Sequence, residues 1–191
     1  MSKVMETNWK TVTGLWLLGA LLALPAGFLL SLVIAAEPHE FVKPIYLARP
    51  VPIGLHALAG IAFWLLMPLQ FSPSLRQRWP LWHRISGRIA VASAMLLGAS
   101  ALWLVAMNPP VGGAIRSANL AISGGLTMAT FGYAIWLARR GEIARHRAWM
   151  MRAVGITYGA ATTAVIAIPV FLTIGEYGGL ASELDRWGGF W

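Results

Sequence analysis

Residues 81–107 read LWHRISGRIAVASAMLLGASALWLVAM, and the last nineteen, from Ile89 to Met107, carry no charged side chain. A helix needs about 20 apolar residues to cross the roughly 30 Å hydrocarbon layer of a bilayer. This stretch therefore predicts a membrane-spanning helix. Its basic beginning, at Arg84 and Arg88, is predicted to lie at a membrane surface.

Other stretches of the chain satisfy the same requirement of length and low polarity. Together with the first they predict five spans, at about 11–36, 51–71, 81–107, 118–138 and 153–175. The earliest is too long for the apolar part of a cleaved signal peptide, so it is also predicted to span. Short loops between the spans favour antiparallel neighbours. The predicted fold class is an all-α integral membrane protein, an antiparallel bundle of five transmembrane helices in one domain covering residues 1–191.

The composition of the chain agrees with lipid as its solvent. Hydrophobic residues make up 58% of the 191 residues and charged residues 12%, against roughly 25% charged residues in soluble domains. The net charge of +8 comes in short clusters between apolar runs, which argues against a nucleic-acid partner. The chain has no cysteine, which excludes disulfides, iron–sulfur clusters and thiolate chemistry.

The Lys and Arg side chains are unevenly divided between the two ends of the predicted bundle. With the N-terminus inside, eleven of the fifteen lie in inner segments and four in outer segments. Because cytoplasmic loops retain positive charge, the N-terminus is predicted in the cytoplasm of a bacterium. The protein is then an inner-membrane protein with a periplasmic tail at 176–191. Anionic lipids of the bilayer are the partners that this distribution implies.

Two histidines open predicted spans on the inner side. His83 follows Pro80, which suits the first turn of a helix, and His146 enters the fifth span in a similar basic and aromatic setting. Such an imidazole is suited to ligating haem b or a transition metal, or to binding a quinone. Gly87, one turn after His83, leaves room for a flat macrocycle. The alternative is a basic, aromatic anchor on anionic lipid headgroups, which does not need the histidines.

Three further polar residues lie at or near the second span. His56 lies about five residues inside its outer end, where an ionisable group is costly and therefore a candidate site residue. The alternative is a neutral imidazole bonded to a carbonyl or hydroxyl group of a neighbouring helix. His39 is predicted to lie in a solvated outer loop. Gln70, at the inner end of the span, is predicted to join the inner site.

The sequence thus predicts an inner-face site for an anionic or metallic ligand. Four arginines near the two histidines, Arg147 among them, suit haem propionates, a lipid phosphate or a quinone headgroup. His83 and His146 are the predicted metal ligands, with Met150 or Met151 as a soft thioether ligand. The predicted cofactor-binding residues are His56, Gln70, His83, Arg84, Arg88, His146, Trp149 and Arg152.

The motifs around these residues resemble a bacterial family of multi-span membrane proteins catalogued only as a domain of unknown function. They are His-Arg-x-x-Gly-Arg at 83–88 and His-Arg-x-Trp-Met-x-Arg at 146–152, preceded by His56 and by Leu-Gln-Phe at 69–71. The similarity covers about residues 52–157. It implies that the three histidines, with the Arg and Trp side chains beside them, belong to one site. It implies no activity.

Three functions are compatible with these residues. The first is a redox-associated membrane protein that binds b-type haem or quinone through His83 and His146. The second is a non-catalytic accessory or assembly subunit of a respiratory or photosynthetic complex, with the tail at 176–191 as a docking element. The third is a lipid-binding structural protein. The chain has no His-Glu-x-x-His pattern and no carboxylate inside the spans, so no catalytic residue is predicted.

Overall fold

The computed structural model describes residues 9–36, 38, 44–107 and 113–174, with side chains at 10–36, 38, 44–107 and 117–161. All regular secondary structure in these ranges is helical, which confirms the all-α fold class. A 3-10 turn at Pro68–Phe71 separates the third helix from the fourth. In chain order the helices are α1 (Trp9–Ala35), α2 (Pro44–Ala48), α3 (Pro50–Leu66), α4 (Pro73–Arg78), α5 (Pro80–Met107), α6 (Gly113–Arg139) and α7 (Ile143–Ile174).

Four helical segments are long and apolar enough to cross a membrane. They are Lys10–Ala35, Pro50–Phe71, Pro80–Met107 and Ser117–Arg139, and they agree with the first four predicted spans. Helix α7 runs over the predicted fifth span, but most side chains of that span lie outside the described residues. The fifth span therefore stays a prediction. His39 and the tail at 176–191 also lie outside the described residues, so the docking role of the tail stays a prediction as well.

Proline begins four of the helices, because its fixed φ and its missing N–H suit the first helical position. Helix α4 is also capped by Ser72, whose hydroxyl oxygen accepts the N–H of Leu75 at 3.1 Å. The expectation for Pro80 is confirmed. His83 lies in the first turn of α5, and its N–H donates to the Trp79 carbonyl at 3.0 Å.

Each long helix packs against the next one along the chain, α1 on α3, α3 on α5, α5 on α6 and α6 on α7. One buried cluster draws side chains from all five. At its centre Phe63 and Phe131 are fully buried and meet edge to face with ring centroids 5.8 Å apart. Because successive long helices alternate in direction, the basic segments that join them gather at one end of the bundle, called here the basic end.

Glycine permits close helix contact at two crossings. A Cβ atom on Gly98 of α5 would lie 2.7 Å from the carbonyl oxygen of Gly124 in α6. A Cβ atom on Gly19 of α1 would overlap the Trp64 carbonyl of α3. These helices thus approach backbone to backbone, which lets small residues hold a bundle together in lipid.

The Gly155-x-x-x-Gly159 pattern in α7 favours the same kind of packing inside the bundle. Both glycines are instead exposed, and no described neighbour lies within 4 Å of where their Cβ atoms would be. The expectation of packing inside the described bundle is therefore wrong for this pair. The spacing places both glycines on one face of α7, but it does not predict whether that face packs against a neighbouring helix or is exposed.

Candidate functional site

Gln70, from the 3-10 turn, lies against the first turn of α5. In one orientation of its amide the oxygen faces the Ser86 hydroxyl at 2.8 Å, a group that also lies within hydrogen-bond distance of the Trp82 carbonyl. The nitrogen then donates to Nδ1 of His83 at 3.0 Å and to the His83 carbonyl at 3.1 Å. The reverse orientation would set two acceptor oxygens against each other. In this orientation Nδ1 of His83 accepts, so the neutral ring carries its proton on Nε2.

Gly87 allows Gln70 to come this close. A Cβ atom at Gly87 would lie 2.8 Å from the amide end of the Gln70 side chain. The space that glycine leaves one turn after His83 is thus filled by an amide, whereas the sequence suggested room there for a flat macrocycle. Gln70 thus contacts His83, which is one of the residues that it was predicted to join.

His146 lies in the first turn of α7, and its Nδ1 is 2.8 Å from the carbonyl oxygen of Ala134 in α6. Because a carbonyl only accepts, Nδ1 carries the proton, and Nε2 of the neutral ring keeps its lone pair. The two histidines therefore present opposite groups at Nε2, a donor on His83 and an acceptor on His146. Within the described part of the chain neither Nε2 atom has a hydrogen-bond partner.

Two arginines share this region. The charges of Arg76 and Arg147 act on His83, and His146 is also close enough to interact with it. Burial and the charge of Arg147 lower the pKa of Arg76, whose guanidinium nevertheless stays charged at neutral pH. We call the group the histidine cluster. Its members are Gln70, Arg76, His83, His146 and Arg147.

The histidine cluster has no described counter-ion. The only carboxylate among the described residues is that of Glu142, and it is paired with Arg145. Two like-charged guanidinium groups without a carboxylate repel each other and attract anions. The described cluster is therefore a place where negative charge on a ligand would be stabilised.

His56 lies well away from this cluster. Its Nδ1 is 3.1 Å from the hydroxyl oxygen of Ser100, which donates in turn to the Leu97 carbonyl at 3.0 Å. His56 precedes Gln70 by fourteen residues in sequence, a rise of roughly 20 Å along a helix. The imidazole is thus bonded to the neighbouring helix α5, the alternative that the sequence left open. The structure does not bring it to the other two histidines.

A family described as predicted membrane protein (DUF2306) matches residues 53–190, more than two thirds of the chain. The chain belongs to this family. None of the curated proteins and none of the solved structures matches it. The resemblance to a membrane-protein family of unknown function is thereby confirmed, and together with the four apolar helices it makes this a multi-pass membrane protein. The whole histidine cluster lies inside the DUF2306 match.

The arginines of the motif at 83–88 point away from the histidine cluster. Arg84 and Arg88 are both exposed. With about 100° between successive residues of a helix, they lie about 100° and 140° around α5 from His83. The structure therefore shows no contact that would place them beside the two imidazoles.

The aromatic and basic residues of the second motif also turn away from His146. Trp149 meets the ring of Tyr133 in α6 edge-on at 4.8 Å, and the guanidinium of Arg152 lies 5.0 Å from the centre of the Trp149 ring. These two residues thus belong to a second group, on the exposed side of α6 and α7. The 3.6-residue period of α7 separates Arg152 from His146 by about 120°. Trp149 is only about 60° away from His146, and what sets it apart is its contact with Tyr133.

The metal site predicted at His83 and His146, with Met150 or Met151 as a thioether ligand, stays a prediction. Among the described residues no group of three His, Asp, Glu or Cys side chains is placed to hold a metal ion. His83 and His146 would supply two imidazoles, and the Nε2 atom of His83 carries a proton that a metal would have to displace. The geometry suits hydrogen bonding better than metal ligation.

Proposed function

We propose that this DUF2306 protein binds the headgroup of a membrane quinone at the histidine cluster, in a redox role. A quinone carbonyl accepts a hydrogen bond, and the hydroxyl group of the reduced form donates one. His83 offers a donor at Nε2 and His146 an acceptor. This pair of opposite ring nitrogens at one end of the bundle is the observation that carries the proposal.

The charges of the cluster support the same ligand. Reduction of a quinone puts negative charge on its oxygens before they are protonated, and fixed cations nearby stabilise that charge. Arg76 and Arg147 supply such cations, and Glu142, the one described carboxylate, is engaged elsewhere. A quinone is also soluble in the lipid that surrounds the helices, so it reaches the cluster without leaving the bilayer.

A b-type haem, the other cofactor that the sequence suggested, fits these residues less well. Ligation by two histidines needs a lone pair on each ligating nitrogen, whereas donation from Gln70 to Nδ1 favours the His83 tautomer with its proton on Nε2. Gln70 also fills the space beside Gly87. These two contacts favour quinone over haem.

Equilibrium dialysis of the detergent-purified protein against a short-chain ubiquinone analogue tests the proposal. We expect saturable binding of one equivalent per chain. Absence of saturable binding would contradict it. An absorbance spectrum of the same sample separates the two cofactors, because a Soret band, with the reduced spectrum of a haem held by two histidines, would overturn the quinone assignment.

We also propose that the basic end faces the cytoplasm of a bacterial cell and that the C-terminus is periplasmic. The distribution of Lys and Arg supports this orientation. Because the chain has no native cysteine, single cysteines report it cleanly. Arg49→Cys should react with a membrane-impermeant maleimide in intact spheroplasts, and Arg84→Cys only after lysis. Reaction of Arg84→Cys in intact spheroplasts would show that the orientation is reversed.

A further inference from the structure

A second group of polar and aromatic side chains covers the exposed side of α6 and α7 at the basic end. The rings of Tyr133 and Trp136 stack with centroids 5.4 Å apart, and Trp149 meets Tyr133 edge-on at 4.8 Å. We call this group the aromatic–arginine patch. Its members are Tyr133, Trp136, Arg140, Arg145, Trp149 and Arg152.

Two guanidinium groups of the patch are held over its rings. Arg140 lies 4.1 Å from the centre of the Trp136 ring, and Arg152 lies 5.0 Å from that of Trp149. Such cation–π contacts fix the position of a charge but leave its N–H donors available. Both arginines are exposed, and neither has a carboxylate partner within the described residues.

Arg145 has a different part in the patch. It donates one hydrogen bond to the Tyr133 hydroxyl at 2.9 Å and another to Glu142. The hydrogen bond with Glu142 raises the pKa of Arg145. Its charge is thus neutralised, while its guanidinium ties the ring of Tyr133 to α7. The uncompensated charges of the patch are those of Arg140 and Arg152.

The patch continues into apolar surface toward the middle of the bundle. Leu126 and Ile122, which are 46% and 61% exposed, precede Tyr133 by seven and eleven residues. Those spacings place all three on nearly the same face of α6. An exposed strip of this kind borders the acyl chains of the bilayer, while Trp136, 41% exposed, lies at the charged end.

We propose that the aromatic–arginine patch binds the headgroup of an anionic phospholipid. A phosphate accepts charge-assisted hydrogen bonds from the N–H groups of Arg140 and Arg152. The aromatic rings meet the glycerol region, and the acyl chains follow the strip of Ile122 and Leu126. A phospholipid is the phosphate source that combines this anion with an apolar tail. The site is separate from the histidine cluster, because Trp149 and Arg152 face a different side of α7 from Arg147.

Native mass spectrometry of the purified full-length chain, with equal phosphatidylglycerol and phosphatidylcholine in the micelle, tests the proposal. We expect the wild type to retain phosphatidylglycerol preferentially. In the double variant Arg140→Gln/Arg152→Gln the preference for phosphatidylglycerol should fall about tenfold. A tenfold change corresponds to about 1.4 kcal/mol of binding free energy. The matched control is Arg84→Gln/Arg88→Gln, which removes the same charge from exposed arginines at the same end and should keep the preference.

Two results would overturn the assignment. Equal loss of preference in both double variants would mean that net charge alone attracts the lipid. Unchanged preference in Arg140→Gln/Arg152→Gln would mean that the patch is not the site. Dialysis of the same variant against the quinone analogue should give wild-type affinity, so that failure of the lipid site and failure of the quinone site are distinguishable.

Discussion

Replacing Gly98 by valine is expected to lower the free energy of unfolding by about 3 kcal/mol, at the upper end of what overpacking usually costs. The new Cβ atom would lie 2.6 Å from Cγ of Met128 and 2.7 Å from the Gly124 carbonyl oxygen. Met128 is flexible and can move, but the carbonyl oxygen belongs to the backbone of α6. The two helices must therefore separate, and contacts along the whole crossing weaken. Reversible unfolding in mixed micelles, followed by circular dichroism, measures the loss.

Gly125→Val is the matched control for this change. Gly125 neighbours Gly124 in α6, and no described atom lies within 4 Å of where its Cβ would be. The two variants share the same change of residue type in a helix, so their difference isolates the close crossing of α5 and α6. Equal destabilisation by both would show that the two backbones do not meet at Gly98.

His146→Asn is expected to weaken binding of the quinone analogue about tenfold, the effect of one lost hydrogen bond of about 1.4 kcal/mol. The asparagine amide takes the place of Nδ1 and still donates to the Ala134 carbonyl, so the anchor between α6 and α7 is kept. What it lacks is a group at the position of Nε2. His146→Gln supplies a carbonyl oxygen near that position and should recover part of the affinity. Equilibrium dialysis of both variants measures the two effects.

His56→Asn is the control for these variants, because the His56 ring is also hydrogen-bonded through Nδ1, to Ser100, far from the cluster. Its affinity for the quinone analogue should equal that of the wild type. If His56→Asn and His146→Asn weaken binding equally, the ligand does not distinguish the two ends of the bundle. If His146→Asn binds normally, the lone pair at Nε2 of His146 has no part in binding.

Much of the fold was predictable because the bilayer sets a simple requirement. Uninterrupted apolar length identified four spans, and Pro80 correctly predicted the start of a helix. Helix ends were harder where the helix continues into the polar interface. Helix α7 begins at Ile143, ten residues before the predicted fifth span, because a helix needs apolar residues only where it meets hydrocarbon. His146 therefore lies in a helical first turn and not in a loop.

The candidate site was predictable only in part, for two physical reasons. Sequence proximity grouped Arg84 and Arg152 with the histidines, whereas rotation about the helix axis separates neighbours by about 100° per residue. The contact between Gln70 and His83 could not be predicted from spacing, because it depends on how the 3-10 turn and α4 return the chain to α5. Arg76 is part of the cluster for the same reason.

Photolabelling with an azido-quinone tests the central claim most directly, since it reports where the headgroup lies. Irradiation of the wild-type protein, followed by proteolysis and mass spectrometry, should place the label within residues 69–90 or 143–154, and excess unlabelled quinone should prevent it. Labelling centred on His56, or labelling spread over the helices without competition, would contradict a quinone site at the histidine cluster.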